Sequence, residues 1–152
     1  MKNLFIANLV TTAQNDQVQK LSVGAAIIHE GKLLILKRCS DDFMPNIYEL
    51  PGGGLEKDES LLNALERELL EETNCAIDKV IGYIGHIDFL SASGLRTRRF
   101  NFLVQPKLPL SVQLTEHEEY KWILPSDAEQ YAITPQTRKM IAIVRDGAIL
   151  SF

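Results

Sequence analysis

Residues 53–75 read GGLEKDESLLNALERELLEETNC, and the order of chemistry in that run governs the reading of everything around it. Gly52, Gly53 and Gly54 follow Pro51. Three glycines lose so much backbone freedom on ordering that a loop, not a helix or strand interior, is expected there. From Ser60 to Thr73 the residues are good helix formers without Gly or Pro, and Leu62, Leu65 and Leu69 recur at helical spacing to form a buried stripe. Asn74 suits a left-handed cap. Glu68, Glu71 and Glu72 fall at i, i+3 and i+4, so their carboxylates leave the helix from one patch. Like charges at that spacing destabilise an isolated helix, whereas a hard divalent cation wants several oxygen ligands. An acidic helix face is ordinarily just solvated, and a short glycine cluster is ordinarily a turn. Their placement in tandem is what singles them out.

That arrangement resembles the Nudix box, in the MutT-like manner: Gly53, Glu59, Arg67, Glu68, Glu71 and Glu72 occupy its fixed positions, and Leu69 its aliphatic one. Asn74 and Cys75 depart from it, standing where the family usually has glycine and an aliphatic residue. Both keep the physical requirement, since Asn tolerates the left-handed conformation and Cys is a small buried hydrophobe. The resemblance implies a Nudix hydrolase with Mg2+ as cofactor, Mn2+ being a substitute, and Glu68, Glu71 and Glu72 as metal ligands. It implies catalytic roles for Glu59, Arg67, Glu68, Glu71 and Glu72. Arg67 is expected to orient the glutamates through its guanidinium fork and Glu59 to support the helix start. The general base is left open between a clustered glutamate and one on a later loop. Glu116, Glu118 and Glu119 are the later candidates, with Glu118 or Glu119 preferred as a further metal ligand; the Glu116-His117-Glu118-Glu119 group could bind metal, and a polar connector explains it equally well.

Working outward, Ser22 to His29, a turn at Glu30-Gly31, and Leu33 to Leu36 predict a hairpin that ends in Lys37 and Arg38. Cys39 to Tyr48 reads as irregular. Ile77 to Leu90 and Thr97 to Gln105 predict strands separated by a turn at Ser91 to Gly94, and Glu119 to Leu124 predicts another. Ser126 is expected to cap one helical turn, and Thr134-Pro135 to open a closing helix through about Arg145. This order predicts an α/β (α+β) Nudix fold, a mixed β-sheet sandwiched between α-helices. The resemblance implies that residues 21–152 form a single Nudix hydrolase domain. Residues 1–20 form an N-terminal extension in which Leu4 to Val10 reads as an added strand and Thr11 to Gln19 as a polar connector.

Across 152 residues the net charge is -4, which argues against a broad basic surface and hence against bulk nucleic acid or anionic lipid as partner. Asn3 and Asn8 interrupt the first apolar run, so a signal peptide is not expected, and no run is long enough to span a membrane. Cys39 and Cys75 lack metal-ligand spacing and read as reduced thiols of a cytoplasmic protein. A homodimer is compatible with the chain. Substrate binding is assigned to Arg38, Gly52, Gly53 and Gly54: glycine backbone and helix-start amides favour phosphate, and Arg38 precedes the loop that leads to the box. Arg96, Arg98, Arg99 and Lys37 are further phosphate candidates, although surface solubility explains each. Phe43, Tyr48, Tyr83, Phe89 and Trp122 include any base-stacking residue, with core packing the commoner role, and His29, His86 and His117 read as structural or surface residues.

The expected substrate is a small nucleotide, first a nucleoside triphosphate, oxidised forms included, cleaved to a monophosphate and pyrophosphate. The alternatives are a nucleotide-sugar or dinucleotide hydrolase, a non-catalytic nucleotide-sensing module that would have lost the glutamates, and an isomerase on the same fold. Residues 76–105 lack the proline associated with ADP-ribose hydrolases, and the signature of NADH-cleaving members is absent.

Overall fold

The computed structural model describes residues 2–42 and 44–152. Strands β1 (Lys20–His29) and β2 (Lys32–Arg38) form the expected hairpin, with Glu30 and Gly31 both at positive φ in its two-residue turn. Its arms pair only near the turn, Ile28 with Leu33 and His29 with Lys32. Below that, the freed edge of β1 accepts β4 (Gly52–Gly54), while its other edge runs parallel to β6 (Arg96–Pro106) from Lys20 to Ile27. β6 pairs antiparallel with β5 (Ile77–Leu90), which carries the short β8 (Leu150–Ser151). β2 pairs with β3 (Tyr48–Glu49) and β7 (His117–Ile123). The sheet is mixed, as expected.

Side-chain alternation assigns each face of the sheet a core. Val23, Ala25, Ile27, Leu34, Leu36, Phe100 and Phe102 pack under α1 (Lys2–Asn15) and α2 (Leu61–Thr73). Ala26, Leu33, Ile35 and Leu103 pack under α3 (Pro135–Asp146), which contributes Met140 and Ile141. α2 is anchored by Leu61, Leu65 and Leu69, all fully buried, and each contributes about 1.5–3 kcal/mol by leaving water. Leu62 is only half-buried, so Leu61 takes the place in the stripe expected of it. Ser60 caps the helix by accepting the Asn63 N–H, and Asn74 closes it at φ 61°, the left-handed cap expected of it.

The N-terminal segment corrects the expectation of a strand. Phe5, Ile6, Leu9, Val10 and Ala13 recur every three to four residues, a helical stripe, and α1 lays them on the core with Phe5 against Tyr83 and Phe152. The helix absorbs Thr11 to Asn15, taking most of the expected connector. A second correction concerns the glycines, which form strand β4 opposite Ser22, Val23 and Gly24 where a loop was expected. A third concerns Ser126, which lies inside a 3-10 helix (Pro125–Gln130) begun by Leu124 and Pro125 without a side-chain cap. Thr134 caps α3 as expected. Among the described residues no helix is long and apolar enough to cross a membrane.

Candidate active site

The acidic face of α2 packs against β4, and the glycines of β4 are what allow it. A Cβ on Gly53 would overlap the Glu68 carboxylate, and one on Gly52 would overlap the Val23 carbonyl oxygen. Gly52 also donates its N–H to Glu72 Oε1 at 2.6 Å. That amide therefore holds a carboxylate of α2, and the Gly53 carbonyl accepts the Ser22 hydroxyl at 3.0 Å. Gly53 makes room for the Glu68 carboxylate, whereas Gly52 lies against the β1 backbone and Gly54 against Lys20.

The three helix glutamates meet different environments. The Glu71 side chain is 57% exposed, that of Glu68 14% and that of Glu72 10%. Burial pushes the Glu72 carboxyl up to about 7, although the Gly52 N–H, His117 and Arg99 all favour its ionised form. Arg67 reaches four groups: Glu59 at 2.7 Å from both Nε and Nη2, Glu68 at 2.9 Å, Glu71 at 3.2 Å and the Gly54 carbonyl at 3.0 Å. The bidentate pair with Arg67, helped by the Glu56 N–H, holds the Glu59 carboxyl down to about 2.

Two residues outside the box complete the cluster: Glu49, which the sequence did not single out, and His117, which it offered only as part of a group that could bind metal. Glu49 precedes the Leu50-Pro51 turn into β4, and its Oε2 lies 2.7 Å from His117 Nε2 while its Oε1 accepts from Arg38 at 3.1 Å. His117 was expected to be structural; its Nδ1 faces Glu72 Oε2 at 3.6 Å. Burial opposes charge on both, yet His117, Arg99 and Arg38 hold the Glu49 carboxyl below its ordinary range, while Glu49 and Glu72 hold His117 above its own. The only signals were a glutamate four residues before Gly53 and a histidine between acidic residues at the start of a strand.

The later glutamates fall elsewhere. Glu119 accepts the Tyr48 hydroxyl, on the opposite face of β3 from Glu49. Glu118 is exposed on the irregular step of β7, and Glu116 meets Cys39 through its backbone carbonyl. Their neighbours Thr115 and His117 do touch α2, Thr115 through the Glu71 carbonyl and His117 through Glu72. Arg38 is held by Glu49 and Asp42. Arg98 is paired with Asp88 and Asp16, and Arg96 donates to the Asp16 carbonyl. Arg99 turns the other way along β6 and donates to the Leu50 carbonyl at 2.7 Å, beside the site. Tyr48 and Tyr83 are buried in the cores, Trp122 packs beneath β2, and Phe43 lies outside the described residues.

A cavity of about 500 Å³ opens next to this cluster, lined by Glu49, Arg99, Asn101 and Gln136 among polar groups and by Ile47 and Phe89 among apolar ones. Glu49 and Arg99 belong to both cavity and cluster. The donor set fits a hard divalent cation: carboxylate oxygens only, in a cradle that a side chain at residue 53 would fill, with one carboxylate whose burial a cation would offset. Among the described residues no three acidic, imidazole or thiol side chains already stand together as a set that could hold a metal ion. Magnesium does not require a preformed protein cage, because water and substrate phosphate oxygens complete the shell that a few carboxylates begin.

A mixed sheet between helices, with an acidic helix seated on a glycine strand and bearing the charged residues of the box, defines a pyrophosphate-cleaving hydrolase, and the chain belongs to the NUDIX domain family, whose model matches residues 18–143. It is 32% identical over 119 residues to the CTP pyrophosphohydrolase of Escherichia coli (strain K12), covering 78% of this chain and 86% of that one. It is 27% identical to the nucleoside triphosphatase NudI of Escherichia fergusonii, over 82% of this chain and 96% of that one. The solved MutT NUDIX hydrolase from Burkholderia pseudomallei superposes with a TM-score of 0.69 at 25% identity, covering 81% of this chain and 95% of that one. The chain is a MutT-like Nudix hydrolase, acting on phosphorus-containing anhydrides of nucleoside diphosphate-linked substrates.

Proposed function

We propose that the protein hydrolyses nucleoside triphosphates to a nucleoside monophosphate and pyrophosphate, using Mg2+ or Mn2+ held by Glu68, Glu71 and Glu72. The observation that carries this reading is the sharing of Glu49 and Arg99 between the carboxylate cluster and a cavity of nucleoside size. The relatives named for CTP and for nucleoside triphosphates support the substrate class. The two free thiols accord with a cytoplasmic setting.

In this reading the base and ribose enter the cavity and the phosphates lie toward β4 and α2, with Arg99 supplying positive charge at the junction. A bound divalent cation supplies Lewis acidity and neutralises charge on the phosphates. Water adds to phosphorus as the bridging P–O bond breaks, its proton passing to a carboxylate of the cluster and the electron pair leaving with pyrophosphate. Arg67 holds Glu59, Glu68 and Glu71 in register, so the reacting groups are placed before substrate arrives. The test is product analysis after incubation with each nucleoside triphosphate and Mg2+. Monophosphate with pyrophosphate is expected; cleavage of nucleotide-sugars or dinucleotides with triphosphates left intact contradicts the substrate assignment.

A further inference from the structure

His117 occupies its place because of an irregularity in β7. The register opposite β2 shifts between Lys37, which faces Glu119, and Arg38, which faces His117, so Glu118 is the extra residue. A bulge turns the residues on its two sides to opposite faces, although they are two apart. Glu119 consequently reaches Tyr48, and His117 turns inward between Glu49 and Glu72. Its side chain is 6% exposed. Nε2 is engaged by Glu49 at 2.7 Å, whereas Nδ1 has no hydrogen-bond partner among the described residues and faces Glu72 Oε2 at 3.6 Å. The other oxygen of Glu72 is already fixed by the Gly52 N–H. A buried nitrogen left short of a partner is costly, and a slight turn of Glu72 closes the gap.

We propose that His117 is a positioning residue, whose imidazole, anchored on Glu49, aims the free oxygen of Glu72 and so presents that carboxylate to the divalent cation. This rests on the reading of Glu72 as a cation ligand. Hydrogen-bonded partners of ligating carboxylates set ligand geometry, and their loss commonly weakens metal affinity by about 10- to 100-fold.

The two ring nitrogens can be separated by substitution. An Asn amide nitrogen falls near the place of Nδ1, and a Gln amide nitrogen near that of Nε2. Full-length wild type, His117→Asn, His117→Gln and His117→Ala are titrated with Mn2+ alone, free ion being followed by electron paramagnetic resonance, and kcat and KM are measured in parallel. The expected result is Mn2+ binding weakened by about 10- to 100-fold in His117→Gln and His117→Ala, with kcat falling and KM little changed, and most of the affinity restored in His117→Asn. Wild-type Mn2+ affinity in all three overturns the proposal, as does an Asn variant no better than Gln. The Asn and Gln pair suffices should His117→Ala fail to fold. Glu72→Gln is measured alongside. If it loses Mn2+ while the His117 variants bind normally, the positioning role alone is overturned; if it binds normally, the reading of Glu72 as a ligand fails with it.

Discussion

The carboxylate of Glu68 occupies the space in which a side chain on Gly53 would begin. Residue 53 is thus small because a ligand candidate on a neighbouring element stands there. The obstructing atoms are the end of a flexible side chain, so Gly53→Ala is expected to fold, at a cost of about 1 kcal/mol, while displacing Glu68. Displacement on the scale of 1 Å at a reacting centre can cost about a hundredfold in rate. Steady-state kinetics beside a thermal melt check this: a large loss of kcat with a small loss of Tm is expected, and unchanged kcat contradicts the account.

Arg67 tests whether fixed geometry or positive charge matters at the centre of the box. Lysine retains the charge but presents a point donor in place of a fork, and cannot serve Glu59, Glu68, Glu71 and the Gly54 carbonyl together. Arg67→Lys is expected to lose turnover by about 10- to 100-fold with native circular dichroism. Full activity in Arg67→Lys would show that charge alone is sufficient.

The pairing of Glu59 with Arg67 predicts a particular acid response. The Glu59 carboxyl is held at about 2 in the folded protein against an ordinary value of 4.5. Because the folded value is the lower one, its stabilising contribution is complete above about pH 4.5 and disappears as pH falls through about 2. Glu59→Gln is therefore expected to be less stable than wild type at neutral pH, with the difference narrowing through that window. Urea midpoints at intervals from pH 7 to about 2.5 measure it; a difference independent of pH would mean that the pair contributes nothing through charge.

The order of chemistry in residues 53–75 made α2, its Asn74 cap and the tie between Arg67 and the glutamates legible in advance, because helical spacing and capping are local properties; the mixed sheet was legible from the order of elements along the chain. What was not legible depends on partners distant in sequence. Strand β4 exists because β1 leaves an edge open below its turn, and Gly53 there answers to the Glu68 carboxylate on α2. The α1 stripe was visible in Phe5, Leu9 and Ala13, yet the dense apolar run of Leu4 to Val10 suggested a strand. His117 and Glu119 look equivalent along the chain, and only the bulge at Glu118 turns one toward the α2 glutamates and the other toward Tyr48. Arg98 and Arg99 are adjacent in sequence, and strand alternation sends one to Asp88 and the other to the cavity.

If the carboxylates seated on β4 are the hydrolytic centre, Glu72→Gln should abolish most turnover. The amide keeps the shape and can remain beside the Gly52 N–H while removing the anion. Pyrophosphate release from a nucleoside triphosphate in Mg2+ is measured for wild type and variant, with circular dichroism as the check on folding. The account predicts a native spectrum and turnover reduced by at least about a hundredfold, equivalent to roughly 2.7 kcal/mol of lost transition-state stabilisation. Wild-type turnover from the folded variant would contradict it.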